Sequence, residues 1–310
     1  MKLLKIILAI LLCALQTLIA HKPVQPPVDP PTVTTTVPQT EPTTEPSTEP
    51  TTEPPSEPPT DPFLDRFYLT WSDEFDGDAL DRTKWGGHYF NFNSTYYKRL
   101  AGYWNVGMAR VGDGVLRIPS IYYPEGFRSG PPGYYSLGMD TRGIFEQKFG
   151  YFEARCILPK GEGLWSAFWL NCQGMANVDG SGQDGMEIDI YESPYWPTDD
   201  KNRVSHALHY DGYGDATKSR GLGSTHFSDS PYDNFHTYGL EWNTNEFIFY
   251  VDRVQTKRST FGGVSQVPEF VILSVEHAFS GWTGDIRNNT LNGFEMTDFV
   301  VDYVRVYQYK

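Results

Sequence analysis

Every one of the 8 Trp, 20 Tyr and 19 Phe in this 310-residue chain falls between residues 63 and 310. A core needs large apolar side chains, so only that segment can build one, and its length suits a single full-sized domain. Residues 21–62 hold 14 of the 23 prolines and carry a tetrapeptide repeat that begins Glu41-Pro42-Thr43-Thr44 and continues to Thr60. Proline at this density removes backbone donors, and without apolar groups there is nothing to bury, so a solvated, extended spacer is expected. At ~3.1 Å per residue it could reach on the order of 130 Å. Residues 1–20 place Lys2 and Lys5 before an apolar run from Ile6 to Leu15 and end near Ala20. That is the layout of a secretory signal, and the run is short for a membrane span. The expected organisation is a signal peptide over 1–20, a disordered Pro/Thr/Glu-rich linker over 21–62 and a folded domain over 63–310. Export from the cell follows, with surface tethering through the linker as a further option.

Net charge is −14, and about −10 of it belongs to residues 63–310. An acidic, aromatic-rich domain does not suit nucleic acid, whose phosphates call for a basic surface. Sulfated polyanions are disfavoured on the same ground. Three cysteines are too few for a disulfide scaffold. Cys13 lies in the leader, which leaves Cys156 and Cys172 either bridged or as two buried thiols. No Cys/His set has zinc spacing, and neither HExxH nor a P-loop occurs. Gly180 to Gly185 matches GxGxxG, but it precedes a strand pattern instead of leading from a strand into a helix, so it cannot cradle a phosphate.

Period-2 alternation recurs along the domain. From Gly150 to Leu158, Phe152, Ala154, Cys156 and Leu158 alternate with Tyr151, Glu153 and Arg155. Val301 to Tyr309 alternates likewise, Phe247 to Asp252 is aromatic and β-branched, and Val271 to Val275 is an apolar run. No long amphipathic helix is present, and Leu80 to Trp85 has room for one turn. Short strands broken by Gly, Asn and Asp predict an all-β jelly roll, a sandwich of two antiparallel sheets with one face open as a cleft. A cleft floored by aromatics suits a sugar polymer, because pyranose rings offer apolar C–H faces to Trp and Tyr.

The segment Gly185-Met186-Glu187-Ile188-Asp189-Ile190-Tyr191-Glu192 is the informative one. On a strand, Glu187 and Asp189 share a face while Met186 and Ile188 turn to the core. Glu192 has the wrong parity. A β-bulge at Ile190-Tyr191 would add one residue and return it to the face of the other two. Crowded carboxyls push one pKa up, so one group stays protonated while another is ionised. A retaining glycosidase needs that division between a nucleophile and a general acid roughly 5–5.5 Å apart.

Glu187 to Glu192 is similar to the active-site signature of glycoside hydrolase family 16 in its longer, bulged form. Gly150-Tyr-Phe-Glu-Ala-Arg155, Gly163-Leu-Trp-Ser-Ala-Phe-Trp-Leu170 and Trp71-Ser-Asp-Glu-Phe-Asp-Gly77 resemble that family too, as do Phe235 to Trp242 and Asp302 to Tyr307. The resemblance implies a concanavalin-like jelly roll and retaining endo-hydrolysis of a β-linked polysaccharide. By position it implies Glu187 as nucleophile, Glu192 as general acid/base and Asp189 as the group assisting the nucleophile. Within the family the bulged form looks like laminarinases, and also agarases, carrageenases and porphyranases. The Trp165 and Trp169 context, with no basic cluster for sulfate, most resembles the β-1,3-glucanase side. Tyr191 stands where laminarinases often carry Met, and mixed-linkage β-1,3-1,4-glucan is an expected further substrate.

Candidate sugar contacts are Trp169, Trp165, Trp282, His209, Asn91 and Arg142, while His206, of opposite parity to His209, is expected to be structural. Glu74 and Asp302 resemble the family's structural calcium site, away from the cleft, where calcium would need several oxygen ligands. No cofactor is expected to take part in the chemistry. The expected partner of this enzyme is a β-glucan, with no nucleic acid, no stable membrane insertion and a monomeric state. A non-catalytic glucan-binding protein and a transglycosylase on the same fold are the competing readings.

Overall fold

The computed structural model describes residues 61–86, 96–195, 202–291 and 296–310. The expected signal peptide and nearly all of the linker lie outside these residues. Among the described residues the chain is built from β-strands, three 3-10 turns and one short helix, Arg287–Leu291. No helix among them is long and apolar enough to cross a membrane. The expected turn near Leu80 is present, with the amides of Lys84 and Trp85 both donating to the Asp81 carbonyl.

Two large antiparallel sheets face each other. The first runs in the order Val254–Ser259, Phe247–Val251, His236–Trp242, Gly150–Ile157, Phe299–Tyr309, Val115–Ile118 and Arg110–Gly112, with Phe67–Asp73 also paired to Phe299–Tyr309. The second runs Lys218–His226, Arg203–Tyr210, Glu187–Pro194, Leu164–Asn171, Phe270–His277 and Gly138–Asp140. Their inner faces make one apolar layer. Phe152, Ala154 and Cys156 meet Phe168, Leu170, Ile188 and Leu273 there, all without solvent exposure. The two-residue alternation read from the sequence is what sends these side chains inward. Cys156 and Cys172 are buried free thiols, so the bridge left open by the sequence is not formed.

A smaller four-stranded sheet, ordered Tyr97–Arg99, Gly102–Trp104, Gly133–Ser136 and Ile121–Tyr123, covers part of the second sheet's outer face. Trp104 fixes it in place. Its indole N–H donates to the Val275 carbonyl at 2.8 Å, and its ring lies against Gly138, where a Cβ would come within 2.5 Å of a ring carbon. With Ala167, Trp169, Phe270 and Ile272, Trp104 forms a second apolar cluster beneath this cover.

The outer face of the first sheet is covered as well, which alternation alone does not anticipate. Phe63 folds back so that its ring centroid lies 4.9 Å from that of Tyr151 and 5.1 Å from that of Tyr250. On the same sheet Glu153 is fully buried. Its two oxygens accept from Arg253 at 2.7 and 2.8 Å and from the Tyr151 and Tyr303 hydroxyls at 2.8 Å. A buried carboxylate is tolerable only with this degree of satisfaction. Removing the guanidinium would strand the charge. Arg253→Met is therefore expected to cost about 3 kcal/mol, read as a lower urea midpoint at unchanged slope. Adding Glu153→Gln to it should recover part of that loss.

Candidate active site

The strand Glu187–Pro194 does not run evenly beside its neighbours. Against Leu164–Asn171, Asp189 pairs with Trp169 while Tyr191 pairs with Phe168, so Ile190 is the extra residue. Against Arg203–Tyr210, Asp189 pairs with Ala207 and Glu192 with Ser205, three residues against two. Ile190 and Tyr191 are consecutive, yet both are fully buried in the main core. This is the bulge expected from the wrong parity of Glu192. Beyond it, Glu192 pairs with Ala167 as Asp189 pairs with Trp169. Because Ala167 and Trp169 share a face, so do the two acids, and Glu187 joins them.

That face floors a cleft of about 610 Å³ lined by Trp165, Ala167, Trp169, the three acids, Ser274, Glu276, Tyr97, Arg99 and Tyr213. One carboxylate oxygen each from Glu187 and Asp189 and a ring nitrogen of His209 lie within 4.8 Å of one another. His209 is the cross-strand partner of Glu187. Its Nε2 stands 3.2 Å from Asp189 Oδ2, and its Nδ1 is 2.7 Å from the Ser219 hydroxyl. Among the described residues these three are also the one set close enough to share a metal ion. They are already engaged with one another and with Tyr213, whose hydroxyl donates to Glu187 Oε2.

Burial and crowding separate the acids electrostatically. Loss of water, then the nearby charges of Asp189 and Glu187, hold the Glu192 carboxyl well above its ordinary value. Asp189 is raised well above its own ordinary value by burial and then by Glu187. Burial also raises Glu187, but the Tyr213 hydroxyl opposes the shift most strongly, followed by His209, Arg99 and Asn171. The site thus contains two carboxyls, Glu192 and Asp189, disposed to keep a proton, and a third, Glu187, whose ionised form is supported by nearby donors and by Arg99.

Other predicted residues fall variously. Trp169 lies on the cleft floor, its indole N–H donating to the Ser274 hydroxyl at 3.1 Å. Trp165 lines one end, with the exposed ring of Trp282 5.7 Å from it. His206 points away from the cleft, with Nδ1 2.6 Å from the Ile190 carbonyl at the bulge, and burial lowers it to about 4. Arg142 sits over the Phe270 ring and is not among the described residues that line the cleft. Asn91 lies outside the described residues. The two carboxylates expected to bind calcium are each ion-paired. Glu74 is held by both arms of Arg305, at 3.0 and 2.7 Å, and Asp302 by Arg155 at 2.5 Å. Each carboxylate already faces a guanidinium that would repel a cation, so a calcium centre built on these two side chains does not fit.

Sequence reasoning missed Tyr97, Arg99, Asn171, Tyr213, Ser274 and Glu276. Glu276 had a faint signal, being an acid near the end of an apolar strand with the parity of Ser274. It is buried and takes Arg99 Nε at 2.7 Å. Tyr213 gave no periodic signal. Its loop is held by the Gly212 amide bonding the Met175 carbonyl at 2.7 Å and by Thr217 bonding the Gly212 carbonyl at 2.8 Å.

The raised Glu192 carboxyl carries a stability cost with a definite sign. Below its ordinary value of 4.5 both folded and unfolded states hold the proton, and there is no cost. Above that value the unfolded chain ionises freely while the folded site resists, so stability drains as pH rises. Glu192→Gln is therefore expected to melt higher than the parent at about pH 7. The gain should shrink toward zero as pH falls through 4.5. Differential scanning calorimetry across that range checks it.

Comparison with known proteins bears on this site. Residues 68–309 match the family model described as Beta-porphyranase A-D, GH16 domain. A beta-glucanase of Rhodothermus marinus is 32% identical over 258 residues, covering 78% of this chain and 85% of that protein. The endo-1,3-1,4-beta-glycanase ExsH of Rhizobium meliloti is 31% identical over 205 residues, and the match spans 66% of this chain but 40% of ExsH. Among solved structures, the laminarinase catalytic domain of Thermotoga maritima superposes with a TM-score of 0.62 at 27% identity, covering 79% of this chain and 99% of that one. With a jelly roll, a bulged carboxyl strand and a family match across most of its length, the chain belongs to glycoside hydrolase family 16.

Proposed function

We propose that this glycoside hydrolase is a retaining endo-β-glucanase that cuts β-1,3 bonds and also mixed-linkage β-1,3-1,4-glucan. The observation that carries the reading is the bulge that sets Glu187, Asp189 and Glu192 on the floor of an open, tryptophan-lined cleft. Glu192, which keeps its proton, donates it to the leaving glycosidic oxygen. Glu187 attacks the anomeric carbon and forms a glycosyl-enzyme. Glu192, now ionised, takes a proton from water, which displaces Glu187 with net retention. Asp189 sits between the two and is paired with His209, so it steadies the nucleophile and raises Glu192. Trp169 supports a sugar at the point of cleavage, while Trp165 and Trp282 form a platform at one end. The leader-like residues 1–20 support release to the outside of the cell.

A second reading, cleavage of a sulfated β-galactan, is favoured by the description of the matching family model. Cleft charge speaks against it. The described lining has four carboxyl groups and a single guanidinium, Arg99, which is ion-paired with Glu276. Among the described lining residues the single guanidinium is thus already committed to a carboxylate, which leaves little to attract an anionic polymer. Assayed side by side, laminarin, barley glucan and lichenan should be cut, whereas porphyran, agarose and carrageenan should not. Release of reducing ends from porphyran alone would reverse the two readings.

The residue roles have their own tests. Glu187→Gln and Glu192→Gln should each lower kcat/KM on laminarin by at least about a thousand-fold while the near-ultraviolet dichroism stays native. The parent should show a bell-shaped profile, its acid limb set by protonation of Glu187 and its basic limb by ionisation of Glu192. Asp189→Asn removes a like charge beside Glu192, so the basic limb should move to lower pH. A basic limb that stays in place would show that Glu192 does not set it.

A further inference from the structure

The face of the small sheet that reaches the cleft does not end there. Arg99, which lines the cleft, pairs with Gly102, Gly102 with Tyr134, and Tyr134 with Tyr122. Partners in register share a face, so one row spans three strand spacings, about 14 Å, from Arg99 to Tyr122, with its middle packed at Gly102 against the buried His277 ring. At its far end lies a second groove of about 610 Å³, lined among others by Tyr122, Tyr134, Phe279, Lys98 and Arg287. The Tyr122 and Tyr134 ring centroids are 4.9 Å apart. Tyr122 is 48% exposed and Phe279 44%, high values for aromatic rings that line one hollow. Phe279 and Trp282 sit on the same loop, so the segment that brings Trp282 to the cleft also brings Phe279 to the groove.

We propose that this groove is a second sugar-binding site, which holds the same polysaccharide chain after it leaves the catalytic cleft. The inference rests on the endo-glycanase reading, since only a polymer spans both places. The lining fits a sugar better than a protein partner. Apart from Pro132, the exposed apolar residues are aromatic, and they offer ring faces to pyranose C–H surfaces. Lys98 and Arg287 stand at the rim, with Arg287 over the Phe279 ring at 4.7 Å, and supply donors for hydroxyl groups. The shared loop, which carries Trp282 to Trp165 of the cleft and Phe279 to the groove, selects the occupant.

Tyr122→Ala and Phe279→Ala, singly and together, test the proposal, because both side chains are exposed and neither touches the proposed chemistry. The double variant should raise KM for laminarin and barley glucan roughly five-fold or more at unchanged kcat, and should leave hydrolysis of a short laminari-oligosaccharide unchanged. In affinity electrophoresis through laminarin, Glu187→Gln should be retarded, and adding the two substitutions should reduce that retardation at least three-fold. Equal KM values and equal retardation in parent and double variant would overturn the groove, as would a Glu187→Gln protein that laminarin does not retard. Dimers at high concentration that the substitutions abolish would also overturn it, by assigning the face to a second copy. If the retardation difference appears but the parent releases no reducing ends from either glucan, the groove stands and the glucanase reading fails.

Discussion

The site depends on one inserted residue. A regular strand between Leu164–Asn171 and Arg203–Tyr210 would turn Glu192 into the core, where an unpaired carboxyl is untenable. By spending Ile190 and Tyr191 consecutively on the inner layer, the chain delivers three acids to one wall. The core that receives both side chains is what holds the bulge in place. Chemistry on the outside is therefore maintained by packing on the inside, and His206 closes the kink by contacting the Ile190 carbonyl.

A second dependence concerns the cover over the outer face. Trp104, seated on Gly138 and bonded to Val275, brings Tyr97 and Arg99 to the cleft from a sheet otherwise remote from the acids. Arg99 then neutralises Glu276 and lends positive potential to Glu187. Without it, Glu276 would be a fourth buried carboxyl beside the reacting pair, and the division of roles between Glu187 and Glu192 would be harder to maintain. The acidic cleft is workable because its charges are graded by partner, from the donor-supported Glu187 to the crowded Glu192.

Much of this was legible in the sequence, and the reasons are physical. Alternation with period 2 reports which side chains face the sandwich interior, so Phe152, Ala154 and Cys156 could be placed without coordinates. The bulge was legible because Glu192 breaks parity by one. What stayed hidden depends on contacts between segments far apart in the chain. Tyr213 on its loop and Arg99 on the small sheet have no periodic signature, and Glu153 carries no sign that Arg253, Tyr151 and Tyr303 will satisfy it. The ion pairs at Glu74 and Asp302 were hidden for a related reason, since sequence shows the carboxylates but not the guanidiniums of Arg305 and Arg155 that claim them.

Tyr191 offers a final consequence. Its ring lies in the interior, 4.3 Å from that of Tyr238, and the residue has no solvent exposure. A change at this position alters the volume of a sealed compartment directly beneath the acid-bearing strand, and Tyr238 is the neighbour that would have to compensate. The side chain at position 191 therefore bears on interior packing around a kinked strand and does not itself meet a sugar.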